Sequence, residues 1–354
     1  MCTLWLLKTS KMLAIKGFQS EYTLTTKAKQ ALRAEEKTMK ENTKNQIKEM
    51  KKQTIGVEIE MADITREKAI RTVAEYFHTE DSVKYIGGTY RAWSCKDNKG
   101  RTWTVTRDSS IIARSDDEKA ELGTPILNYE DIEDLQQIAR NLRHNGAVSN
   151  PAHDCGVHVH IGANGQTPKT IRNLANIMKS HEDLIAEALN LDSHRLARWC
   201  QTVDERFLTE LNKKKPKTMA ALADIWYESQ GAGSGRNAHY NLSRYHMLNL
   251  HATFTKGTIE FRLFQFQNPH DGKKGGIHAG ELKTFIQFAL ALTQMAKEVR
   301  SASPKKQQHE NPRFAMRTWL LRLGFIGDEF KTARDVLTQR LSGDTAFRFG
   351  RAAA

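Results

Sequence analysis

Apolar and polar residues alternate strictly in three short segments: GVEIEM at 56–61, CGVHVHIG at 155–162 and TIEFRLF at 258–264. Residues two apart in an extended strand share a face. Val57, Ile59, Val157, Val159, Ile161, Ile259, Phe261 and Leu263 are therefore expected on one side of a sheet. Glu58 with Glu60, His158 with His160, and Glu260 with Arg262 stand on the other. Between these strands the spacing changes to that of helices. DITREKAIRTVAEYFHT sets Ile64, Ala69, Ile70, Val73 and Phe77 on one stripe. A helix opened by Thr167-Pro168 does the same with Ile171, Leu174, Met178, Ile185 and Leu189.

The rest of the pattern completes an order of elements. KYIGGTYRAWSCKDN and GRTWTVTRDSSI read as a hairpin turning around Asp97-Asn98-Lys99-Gly100. A further strand ends at Glu121-Leu122-Gly123-Thr124, where Pro125 stops it. Residues 129–144 form a helix that starts acidic and ends basic, complementing its own dipole. A second helix is expected through RLARWCQTVDERFLTEL, loops at 213–217 and 231–236, and a long strand region over 246–266. GGIHAGELKTFIQFALALTQMAKEV reads as a buried helix, and a last helical segment spans about 317–341. No fixed-period repeat is present. The order predicts an α+β domain, an antiparallel sheet with helices on its outer face.

Composition narrows the class. The chain has 354 residues, 39% of them hydrophobic, enough to bury a large core. No stretch approaches the roughly 20 apolar residues of a membrane span. In MCTLWLLKTSKMLAIKGF the lysines follow the short apolar run and no small-residue cleavage site closes it, so a cytoplasmic protein is expected. Cys2, Cys95, Cys155 and Cys200 are widely spaced, which fits reduced thiols and argues against a structural zinc. The net charge is +13, and residues 1–52 carry twelve Lys/Arg against five Asp/Glu, an excess of +7. The basic excess is thus a leader, read as a partly helical or disordered arm, with the catalytic domain over 53–349. Such an arm is most often a solvated extension; nucleic acid is the alternative partner.

The polar sheet face carries the candidate chemistry. Glu58 alone reads as an ordinary edge-strand carboxylate, and one histidine as a hydrogen-bonded core imidazole. Two such pairs together with Glu260 and Arg262 instead suggest a ligand, because buried charges are normally paired or coordinate metals. Hard divalent cations with phosphate suit carboxylates, and an Arg fork suits bidentate phosphate binding. Histidine is an uncommon magnesium ligand, so manganese is a plausible substitute. No GxxxxGK[ST] segment is present, which argues against a P-loop enzyme. DGKKGG at 271–276 could cradle phosphate but reads better as an exposed turn.

GVEIE, TRDSSI, ELGTP, CGVHVHIG, RYHMLNL and TIEFRLF together resemble the amidoligase family, a branch of the carboxylate–amine ligases that includes glutamine synthetase and gamma-glutamylcysteine ligase. The resemblance runs from about Ile55 to Phe349, in the family's motif order. It implies a curved antiparallel half-barrel of the glutamine synthetase type. The implied activity is an ATP- and Mg2+-dependent ligase that forms an amide or peptide-type bond through an acyl phosphate. By motif position, Glu58 and Glu60 resemble first-strand metal carboxylates, Glu121 a ligand toward the substrate, and His158 and Glu260 ligands of the metal that bridges ATP phosphates. His160 would lie toward the nucleotide, and Arg262 would hold the transferring phosphoryl group. Arg244 and Asn249 are candidates for substrate or phosphate; Asp108 either orients the amine or caps a turn. The implied partners are a carboxylate and an amine substrate, with an acidic peptide or glutamyl group favoured by a basic rim. A metal-dependent hydrolase of amide or phosphate bonds, or a nucleic-acid-binding protein acting through the leader, are the alternatives.

Overall fold

The computed structural model describes residues 41–238, 240–269, 272 and 275–346. The chain divides into units of 1–45 and 46–354. Of the first unit only 41–45 are described, and they are helical; residues 1–40 of the basic leader, Cys2 among them, lie outside the described residues, as do Asp271, Lys273 and Lys274 of the DGKKGG loop.

The second unit is α+β, with one open sheet of eight strands paired antiparallel throughout. Its strands are β1 (Ile55–Met61), β2 (Lys84–Gly87), β3 (Ala92–Lys96), β4 (Thr102–Thr106), β5 (Ala120–Gly123), β6 (Val157–Gly162), β7 (Leu248–Asn249) and β8 (Thr258–Phe264). Their order across the sheet is β2-β3-β4-β5-β1-β6-β8-β7. The three alternating segments are thus adjacent central strands. The helices are α1 (Arg66–Phe77), α2 (Ile132–His144), α3 (Pro168–Leu189), α4 (Ser193–Arg198), α5 (Glu205–Lys214), α6 (Met219–Ser229), α7 (His251–Thr255), α8 (Ala279–Glu298), α9 (Pro312–Arg322) and α10 (Lys331–Thr338).

Helices cover the apolar sheet face. α1 is capped by Thr65, whose hydroxyl accepts from Lys68 N, and its predicted stripe is buried against β3 and β4, with Phe77 5.6 Å from Trp103. α8 lies against β6, and α3 and α10 pack on α8. Phe264 of β8 stacks on Phe285 of α8 with centroids 4.8 Å apart. Each such fully buried side chain contributes roughly 1.5–3 kcal/mol. Within the unit, residues 46–51 are helical and already contribute to this core through Met50.

Several expected elements are subdivided. The segment 84–106 is three strands rather than a two-stranded hairpin, because positive φ at Gly87, Gly88 and Arg91 turns the chain once before the Asp97–Gly100 turn. The second helix breaks into α4 and α5: Trp199 N and Cys200 N both return to Arg195 O, and Asp204 starts α5 by accepting from Phe207 N. α6, between the two expected loops, was not anticipated. The strand region 246–266 is interrupted by α7, where Asn249 Oδ1 accepts from His251 N and Gly257 at φ +70 returns the chain to β8. The last helix divides at Gly324 and Gly327, both with φ near +87.

Candidate functional site

Strand register assembles the polar face. Glu58 stands opposite His158 across β1 and β6, Glu60 opposite Glu121 across β1 and β5, His160 opposite Glu260 across β6 and β8, and Asn249 opposite Glu260 across β7 and β8. One extra residue in β8 forms a bulge opposite His158, since Val159 pairs with Phe261 but Val157 with Phe264. Alternation sets Glu260 and Arg262 on the polar face, and the bulge after them returns Phe264 to the apolar one.

The side chains meet closely. His158 Nδ1 is 3.0 Å from Glu58 Oε2 and its Nε2 3.6 Å from Glu60 Oε1. His160 Nδ1 is 2.9 Å from Thr258 Oγ1; its Nε2 lies 3.3 Å from Glu58 Oε1 and 3.9 Å from Glu260 Oε2, buried and without a hydrogen-bond partner. Arg262 Nη1 donates to Glu260 Oε1 at 2.7 Å and Asn249 Nδ2 to Oε2 at 2.7 Å. Gly156 N donates to Glu60 Oε2 at 2.5 Å.

These groups set each other's protonation. Burial would raise Glu58, but the charge of His160 and the contact with His158 hold it well below the usual carboxylate range. Burial likewise opposes ionisation of Glu260, yet Arg262 and His160 bring it down to about 2. Glu121 goes the other way: burial first, then the charges of Glu58, Glu60 and Asp108, push it well above the usual range. His160 is raised by Glu260 and Glu58 against the effect of burial, and Arg262 by Glu260 and Glu60. A face that pushes one carboxyl up in this way is short of positive charge.

Ligand atoms of Glu58, Glu121 and His158 lie within 4.8 Å of one another, as do those of Glu58, His160 and Glu260, and of Glu60, Asp108 and Glu121. The resemblance pairs His158 with Glu260, and His158 Nδ1 lies 3.9 Å from Glu260 Oε1; the register in addition sets His160 opposite Glu260 and His158 opposite Glu58. The donor set suits a divalent cation: carboxylate oxygens predominate, the imidazoles suit manganese, and the orphaned His160 Nε2 faces two carboxylates. Asp108 caps a turn, accepting from Ser110 N at 2.7 Å and Oγ at 2.6 Å, and still falls in the third set. The Arg244 guanidinium lies 5.6 Å from the Tyr240 ring and 5.8 Å from the Tyr245 ring. It lines a cavity of about 220 Å³ with Asn249 and Glu260.

Three neighbours of this face are not among the residues singled out from the sequence. Arg195 on α4 is 1% exposed, and its Nη1 lies 3.9 Å from Glu60 Oε2. Gly156 is required beneath it, since a Cβ there would collide with the guanidinium. Lys256 Nζ is 3.5 Å from Glu58 Oε1. Tyr240 donates to Tyr90 Oη at 3.1 Å, bringing the turn between β2 and β3 to the loop before β7. A basic residue just ahead of TIEFR was the one legible clue, for Lys256.

A sequence model of the family described as "Putative amidoligase enzyme" matches residues 51–293. The chain belongs to this amidoligase family. The match contains all eight strands and reaches into α8, short of the expected limit at Phe349. Among solved structures, a bifunctional glutathione synthetase from Pasteurella multocida is similar at 14% identity and a TM-score of 0.42, over 84% of this chain and 48% of that one. The chain thus spans about half the length of that protein. No curated protein matches it. No described helix of this amidoligase is long and apolar enough to cross a membrane.

Proposed function

We propose that this family member is an ATP-dependent carboxylate–amine ligase that works through an acyl phosphate, with divalent cations on the polar sheet face. The family supplies the ligase class. The observation that carries the reading is the face itself, where Glu58, Glu60, Glu121, His158, His160 and Glu260 form overlapping ligand sets beside a buried Arg262. The same reading takes the open sheet as a half-barrel of the glutamine synthetase type. The contact of Tyr90 with Tyr240 supports that curvature, because it joins segments from opposite sheet edges.

In this mechanism a carboxylate oxygen of the substrate attacks the terminal phosphorus of ATP and ADP leaves. The amine then attacks the acyl carbon and inorganic phosphate leaves, so each amide bond consumes one ATP. Bound magnesium or manganese supplies charge neutralisation on the phosphate oxygens. Glu58, Glu260 and the two histidines would hold a cation on the nucleotide side, and Glu60, Glu121 and Asp108 one on the substrate side. Asn249 and Arg262 fix both oxygens of Glu260. Gly156 N and Arg195 orient Glu60. Arg262 grips the phosphoryl group in transfer through donors other than the Nη1 that Glu260 engages. Asp108, whose carboxylate accepts from Ser110, takes the amine proton in this reading.

The test is incubation with ATP, Mg2+ and mixtures of amino acids and peptides, following phosphate release and product mass. A product one water lighter than its two precursors, formed with one phosphate, is expected. Cleaved products formed without ATP consumption would establish a metal hydrolase instead.

A further inference from the structure

Lys256 closes α7, and its ammonium reaches the oxygen of Glu58 that also faces His160 Nε2. Glu58 belongs to the Glu58, His160 and Glu260 set, so a divalent cation held there and the Lys256 ammonium would share one carboxylate. Two cations about 4 Å apart repel strongly at a partly buried site. Lys256 is free to yield: its side chain is 45% exposed on a flexible four-carbon stem. On its other side lies the cavity lined by Asn237, Arg244, Asn249, Thr255 and Glu260. Guanidinium, ammonium and amide donors surround that space and Glu260 lies at its edge, a setting for an anion next to a cation site.

We propose that Lys256 is a stand-in cation, which neutralises Glu58 in the empty enzyme and moves to the phosphate chain of the nucleotide when the divalent cation arrives. This rests on the ligase reading and adds to it the residue that couples metal and nucleotide binding. The exchange keeps a positive charge beside Glu58 before and after loading, so neither ligand enters against an unscreened cluster. The lysine then contributes a charged hydrogen bond to the phosphates that is absent before loading.

The two roles predict effects of opposite sign in one variant. In full-length Lys256→Met, Mn2+ alone should bind about threefold or more tighter by calorimetry, because a competing charge is gone. The same variant should bind a non-hydrolysable ATP analogue about tenfold more weakly at saturating Mg2+. Lys256→Arg should restore most of the nucleotide affinity, and melting temperatures should match wild type. Unchanged or weaker Mn2+ binding in Lys256→Met, or unchanged nucleotide affinity, would overturn the proposal. Glu58→Gln separates this from the underlying reading: if wild type and Glu58→Gln bind Mn2+ equally, or neither binds it, the metal face fails and Lys256 with it. If Glu58→Gln loses Mn2+ while Lys256→Met behaves as wild type, only the lysine assignment falls.

Discussion

Arg262 and Glu260, two residues apart on β8, form a 2.7 Å ion pair in which neither side chain exceeds 6% exposure. The pair alone could be structural. Arg262 Nε, however, is buried without a hydrogen-bond partner, and the guanidinium sits 5.8 Å from the Tyr245 ring. A guanidinium with an unused Nε–H on the proposed catalytic face is available to a phosphoryl group. Arg262→Lys should therefore keep the fold and the charge yet lose about 10³-fold in kcat, with a smaller rise in the KM for ATP. Steady-state kinetics beside a melting curve check this; a folded Arg262→Lys with normal kcat would make the pair structural.

Glu58 belongs to two of the three ligand sets. Glu58→Gln keeps the volume of the side chain and removes its charge. Mn2+ affinity should fall by more than about tenfold while the circular dichroism spectrum stays unchanged. Titration of Mn2+ by calorimetry decides it, and wild-type affinity in the variant would remove Glu58 from the cluster.

The structural core begins before β1. Met50 is 1% exposed, Lys51 Nζ lies 2.7 Å from Glu329 Oε1, and the amide of Gln53 donates to Leu290 O at 3.0 Å. A chain starting at residue 46 should melt within a few degrees of the full protein. One starting at residue 54 loses the Met50 packing, about 2–5 kcal/mol for a buried methionine, and should melt well below it. Thermal unfolding of the two truncations gives the answer.

An acid-sensitive network ties the β3–β4 turn to the start of α2. Asp131 accepts from Arg101 Nη1 at 2.7 Å and Lys99 Nζ at 2.6 Å, and Asp97 accepts from Arg101 Nε at 2.7 Å. Burial would raise both carboxyls, but these cations and backbone N–H groups hold them below the usual range. A carboxyl depressed in the folded state contributes stability above its unfolded value of about 4, and that contribution is lost as pH falls through the folded value. Asp131→Asn should cost about 2 kcal/mol at pH 7 and a smaller amount at pH 3, where the carboxyl of the unfolded chain is already largely protonated. Urea unfolding at the two pH values tests it; equal losses would show that the charge is irrelevant.

The central strands were legible because β1, β6 and β8 are each apolar on one face and charged on the other, and a two-residue period reports that directly. The stripes of α1 and α3 were legible for the same reason at helical period. What escaped was set by tertiary context. α7 lies within a run that reads as strand, and only the turn made by Asn249 and Gly257 makes it helical. The bulge at Arg262 depends on pairing with β6, which no local pattern encodes. Arg195 approaches Glu60 from 135 residues away along the chain. Lys256 reaches Glu58 across 198 residues.

The most direct test of the account follows one oxygen atom. If the carboxylate is activated as an acyl phosphate, an oxygen of that carboxylate leaves on inorganic phosphate when the amine attacks. With a carboxylate substrate labelled in both oxygens with oxygen-18, mass spectrometry of the released phosphate should find one labelled oxygen per amide formed. Amide product accompanied by unlabelled phosphate would contradict it.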